Sequence, residues 1–177
     1  AVGDEAGTAI TTGDSNTALG FESLKANTTA SHNTAVGYKA GYSNTTATEN
    51  TFIGQRAGEN YTTGDINTAV GSYALNAIGG TGTGTVNAAF GKNALLNNTS
   101  GSQNTALGTY TLSANTTASY NTSVGYGAGL SVTTGVQNTF VGGLAGDGTD
   151  DGNNNTAVGY LALSANCGSH NTAIGQG

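Results

Sequence analysis

Along this chain one short alternation of side chains returns again and again. In Asn33-Thr34-Ala35-Val36-Gly37 a β-branched residue alternates with a small one, so Thr34 and Val36 share one side while Asn33, Ala35 and Gly37 share the other. A period of two is the signature of a strand with two unlike faces. The motif or a near variant begins at Asn16, Asn33, Asn50, Asn67, Asn87, Asn104, Asn121, Asn138, Asn155 and Asn171, in steps of seventeen residues apart from one of twenty and one of sixteen. Self-similarity at such a period marks a repeat architecture. Glycine in every copy, with threonine, asparagine and serine between copies, disfavours helix. Each copy is therefore expected to hold a strand at the motif, a short second strand at the position of Tyr38-Lys39-Ala40, and turns across Tyr42–Glu49.

Seventeen extended residues reach roughly 56 Å, so a copy that returns to its start must fold into a flattened coil. Successive coils then pair as parallel strands about 4.8 Å apart. The expected fold is all-β, a parallel β-roll or β-solenoid of about ten 17-residue turns. The column Leu19, Val36, Ile53, Val70, Phe90, Leu107, Val124, Val141, Val158 and Ile174 is expected to point inward, with the threonine column on the same face. The motif asparagines are expected to stack at a bend and pass hydrogen bonds from coil to coil, and the motif glycines to supply positive φ or a close approach. A coil with one aliphatic column buries little. The opposite row, Ala18, Ala35, Ala69, Ala106, Ala157 and Ala173, is accordingly expected to admit a second backbone, with three chains packed as a homotrimer.

A slower rhythm overlies the first. Leu19 through Tyr38 recurs in outline as Leu107 through Tyr126, and the eighth residue after each motif asparagine runs Leu24, Gly41, Gly58, Leu75, then Leu95, Leu112, Gly129, Gly146, Leu163. This makes residues 1–177 one continuous solenoid with an internal duplication, approximately 1–88 and 89–177. The chain opens and closes inside a copy and so reads as a segment of a longer fibre.

Composition narrows the function classes. Four Lys and Arg against ten Asp and Glu leave a net charge of −6 with no basic stripe, which argues against nucleic acid. No apolar run approaches the ~18 residues of a membrane span, which argues against membrane insertion, and the first residues lack the regions of a signal peptide. Cys167 stands alone and reads as a substituted turn residue. His32 and His170 precede a motif asparagine, a place also filled by Ser15, Glu49, Ile66 and Tyr120, so neither reads as a catalytic base. No enzyme constellation and no cofactor motif emerges. Asp147, Asp150 and Asp151 form a candidate calcium loop whose bland alternative is a solvated acidic loop. Asn27, Asn44, Asn60, Asn98 and Asn115 head N-x-Ser/Thr sequons, possible glycan sites if they are more than turn chemistry. Phe21, Tyr38 and Tyr126 follow a motif glycine and are candidate surface contacts.

The Asn-Thr-Ala-Val-Gly motif followed by x-x-Ala resembles the Asn-Ser-Val-Ala-Ile-Gly repeats of trimeric autotransporter adhesin heads, and is similar to the Asn-Thr-Ala-Val-Gly-Tyr arrays of phage and phage-like tail fibres. The resemblance spans all 177 residues, although the adhesin repeat is shorter and no neck or coiled-coil stalk is present. It implies a left-handed parallel β-roll, a homotrimer and a repetitive adhesive surface outside the cell or on a virion. The expected function is the structural and adhesive shaft of an extracellular fibre, meeting a cell-surface glycan or protein receptor through avidity. The alternative is a subunit of a self-assembling filament. Ice binding is a third class, opposed by the expectation that the threonines face inward.

Overall fold

The computed structural model of the chain describes all 177 residues. Ten three-residue strands follow one another: β1 Thr17–Leu19, β2 Thr34–Val36, β3 Thr51–Ile53, β4 Thr68–Val70, β5 Ala88–Phe90, β6 Thr105–Leu107, β7 Thr122–Val124, β8 Thr139–Val141, β9 Thr156–Val158 and β10 Thr172–Ile174. They form one parallel sheet in sequence order, with motif residue over motif residue at every step. Nine strand spacings of about 4.8 Å make the sheet about 43 Å long. The fold is thus the β-solenoid that the repeat period predicts.

The coils hold together mostly outside their strands. Of 111 backbone hydrogen bonds, 93 lie outside the strand-to-strand pairs, and most of these run between successive coils. Threonine hydroxyls extend that stack: those of Thr28, Thr45, Thr99 and Thr116 each donate to the carbonyl one coil further on. No second strand forms. Lys39 and Gly41 both adopt left-handed backbone, φ 54° and 59°, so Tyr38-Lys39-Ala40 is a turn. Each coil therefore has one flat side and a perimeter of turns.

The inward and outward columns are the reverse of the expected ones. The central residue of each strand is buried, Ala18, Ala35, Ala69, Ala106 and Ala157 among them, while the flanking threonine and aliphatic residues are half-buried or exposed. Ala173 lies in the last strand and is partly buried against the same core. These alanines line the inside of their own coil and offer no surface to another chain, which removes the expected oligomer contact through them. The cause is the asparagine preceding each strand. The side-chain amide of Asn33 donates to the carbonyl of Ala47 across its own coil, and those of Asn104 and Asn121 do the same to Ala118 and Gly135. These carbonyls sit in the narrow interior, so the asparagine must point inward; the period of two then turns alanine inward and threonine and valine outward.

The same asparagines tie coil to coil. The Oδ1 of Asn16 accepts from the backbone N–H of Asn33, Asn33 from Asn50, Asn50 from Asn67, and so on to Asn155 and Asn171. The ladder is the expected one, with a backbone donor at every rung and a side-chain donor added at Asn87, Asn104 and Asn171. Asn67 and Asn87 keep it intact across the twenty-residue coil. Tyr61, fully buried, crosses that coil: its ring occupies the space beside Gly82, and its hydroxyl donates to the Asn98 carbonyl at 3.2 Å.

The 88-residue rhythm has a packing cause. Phe52 and Phe140 replace alanine in the inward column of β3 and β8, and both are fully buried. Beside Phe52 lie Gly41 and Gly58, and beside Phe140 lie Gly129 and Gly146, at the place that Leu24, Leu75, Leu95 and Leu112 fill in other coils. One ring takes the volume of two leucine side chains.

Candidate functional site

The outer face of the sheet is an extended, regular surface. Two columns cover it: a threonine at the start of nine of the ten strands, with Ala88 the exception, and an aliphatic or aromatic residue at the end of each. The aliphatic column is partly open to solvent throughout, with Leu19 at 47%, Phe90 at 40% and Val158 at 36%. No charged residue stands in either column, although the chain carries fourteen of them, ten acidic and four basic. Strand geometry places the columns about 6.7 Å apart, with a repeat of about 4.8 Å along the rod. Every motif glycine ends this face by turning the chain at φ near 130°, and a Cβ on Gly54 would fall 2.6 Å from the Gly71 carbonyl oxygen.

Around the corner runs a second edge, and here the two halves of the duplication differ. Phe21 and Tyr38 stack with ring centroids 5.5 Å apart and an interplanar angle of 8°. Lys39 and Arg56 lie over Tyr38, and Arg56 also lies over Tyr73. Lys25 pairs with Glu5 and Glu22, Lys39 with Glu22, and Arg56 with Glu59. Lys25, then Lys39, hold the Glu22 carboxyl below the usual carboxylate range, against an opposing push from desolvation. Glu22 in turn raises both ammonium groups, and Glu59 raises the Arg56 guanidinium. The second half carries aromatic residues on this edge with a single cation, Lys92, which forms no ion pair and lies over no ring. Tyr126 is 59% exposed and meets Tyr110 edge to face at 6.2 Å. Phe21, Tyr38 and Tyr126 are all exposed, and each already meets a neighbouring ring.

The remaining candidates fall elsewhere. Asn27, Asn44, Asn98 and Asn115 are fully buried, which corrects their reading as glycan sites. Asn44 and Asn115 donate to Ala47 and Ala118, the carbonyl groups of their own turns, and Asn98 donates to Gly101 and to the Tyr61 hydroxyl. A glycosidic bond at these nitrogens has no room in the folded coil. Asn60 is half-buried and donates to Asn76. Asp147, Asp150 and Asp151 do not gather into a group able to hold a metal ion. Asp150 instead accepts from the Thr133 hydroxyl. His32 and His170 are exposed at turns. Cys167 is half-buried with its sulfur 3.3 Å from the Thr149 hydroxyl. Burial pushes the Tyr61 hydroxyl well above its ordinary pKa, and Asn98 only partly offsets that.

The outward threonine and aliphatic columns are what sequence reasoning missed. A signal was present: phenylalanine at positions 52 and 140 coincides with glycine at 41, 58, 129 and 146. Such compensation in volume places the two columns in one interior, with alanine inside.

Comparison of the chain with protein-family models, with curated proteins and with solved structures finds no match.

Proposed function

We propose that the chain is the structural and adhesive shaft of an extracellular fibre, of the kind carried by a phage, a phage-like apparatus or a bacterial surface. The reading rests on one observation above all: ten strands and their turns stack in unbroken parallel register, and the asparagine ladder runs through every step from Asn16 to Asn171. Bending such a rod means stretching hydrogen bonds on one flank in many coils at once. The shaft therefore holds whatever it carries at a fixed distance and direction. Its surface columns repeat a weak contact along the rod, so attachment gains by multiplicity. Its action is mechanical.

An antibody raised against the rod tests this directly. It should decorate thin projections on virions or cell envelopes in negative-stain images. Label confined to the cytoplasm in sections would overturn the proposal. Small-angle scattering from the purified chain should give a rod at least about 43 Å long.

A further inference from the structure

We infer that the outer face of the sheet binds ice, so that ordered water is the surface to which this shaft adheres. The inference rests on the adhesive reading and names its ligand. Three independent observations converge on it.

The first is the lattice itself. Threonine opens every strand from Thr17 to Thr172 except at Ala88, in register, with an aliphatic column beside it. The hydroxyls of the threonine column repeat at about 4.8 Å, close to an oxygen repeat of the ice lattice, with the apolar column about 6.7 Å to the side. The second is the state of the hydroxyls. In the turns, threonine hydroxyls are spent on the carbonyls of the next coil, as at Thr28, Thr45, Thr99 and Thr116. None of the nine strand threonines makes a side-chain hydrogen bond within the chain, so each presents a free hydroxyl and a methyl group at a fixed repeat. The third is the absence of charge from both columns in a chain with fourteen charged residues. Ions hold water in shells incompatible with the ice lattice, whereas methyl and hydroxyl groups together let water order and then anchor it.

A second copy of this chain is the competing occupant. The face offers roughly 400 Å², about half the ~800 Å² per partner of a stable interface. A copy of this face would also have to pair nine hydroxyls with its own nine in fixed geometry. Water ordered as ice supplies each of them with partners.

The test uses the full chain. Thermal hysteresis and partition of the protein into a slowly growing ice hemisphere are measured beside its mass by light scattering. The expected result is hysteresis, faceted crystals, strong enrichment in ice and the 17.3 kDa mass of one chain. Thr68→Tyr and Thr105→Lys, each at the centre of the face, should cut hysteresis and enrichment at least fivefold. Gln55→Lys, on the exposed turn edge, should leave both unchanged. Circular dichroism identifies any variant that does not fold, and the other central variant then carries the comparison. A folded rod that ice excludes like a control protein overturns the inference while leaving the shaft intact. So does a multimer that Thr68→Tyr converts to single chains, because a second copy then holds the face. Scattering that shows no rod overturns the shaft proposal, whatever ice does.

Discussion

The ring of Phe52 lies where a side chain on Gly58 would have to be: a Cβ on Gly58 would fall 2.4 Å from Cδ1 and Cε1 of Phe52. Gly58 has left-handed backbone, φ 61°, yet Leu75 occupies the same place in its own coil at φ 51°. Leucine is thus acceptable to the backbone there, and the ring alone excludes it. Phe52→Ala should cost about 3–5 kcal/mol through loss of burial and the cavity left behind. Gly58→Leu alone should cost about 1–3 kcal/mol or more by overpacking. The double variant should recover a large part of both losses. A double-mutant cycle by equilibrium denaturation measures the coupling, and simple addition of the two losses would contradict the shared interior.

The asparagine ladder makes a second quantitative demand. Asn67 donates to the carbonyls of Gly64 and Gly84, and its Oδ1 accepts from the backbone and side chain of Asn87. Asn67→Ala leaves these groups unpaired in a fully buried place, at a cost of about 3 kcal/mol. Asn171→Ala, at the last and more exposed rung, should cost under about 1 kcal/mol. Chemical denaturation of the two variants side by side checks the ratio, and equal losses would mean that the ladder is not what joins the coils.

Strain has been left in the turns. Ile66 is β-branched, 53% exposed and held at φ 58°, a region such residues rarely enter. Asparagine tolerates that backbone. Ile66→Asn should therefore stabilise the rod by about 1 kcal/mol, seen as a higher melting temperature. A lower one would show that the isoleucine side chain has a packing role that its exposure conceals.

The Glu22 network predicts a pH dependence confined to the first coils. Its carboxyl is depressed in the folded chain, first by Lys25, so the associated stability is present above the ordinary carboxylate pKa. It is lost as pH falls through the lowered folded value. Lys25 and Lys39 are raised, so their part is present below the ordinary lysine pKa and lost as pH rises through the raised values. Glu22→Gln should flatten the acid limb of the melting temperature against pH and leave the second half of the rod unchanged. Hydrogen exchange at pH 3 and pH 7 locates the effect, and an unaltered acid limb would contradict it.

Much of this architecture is legible in the residues. Seventeen-residue spacing from Asn16 to Asn171 specifies stacked coils, parallel pairing and register, because in-register strands need a constant repeat. The period of two within Thr34-Ala35-Val36 also specifies which residues share a face. It does not specify which face is inside. Valine is the more apolar residue, and transfer from water favours burying it. The decisive term lies instead in polar satisfaction: turn carbonyls such as that of Ala47 point into a narrow interior and require the amide of Asn33. That requirement is invisible until the chain closes on itself. The expected second strand is absent for a related reason, since nothing in Tyr38-Lys39-Ala40 announces the left-handed Lys39. For the sequons, the turn position was legible and its direction was not. Asn27, Asn44, Asn98 and Asn115 share a place, and that place faces the interior.

The phenylalanine that fills two leucine places also governs how such a gene can lengthen. A coil bearing Phe52 is compatible only with a neighbour and a self that both lack the leucine, so Gly41, Phe52 and Gly58 must travel together. Unequal recombination between out-of-phase coils would join a ring to a leucine and produce a misfit. Recombination in phase, by eighty-eight residues, adds five coils and keeps each ring beside its two glycines. Where a ring is carried along, the increment that keeps it between its own glycines is five coils, a step of about 24 Å.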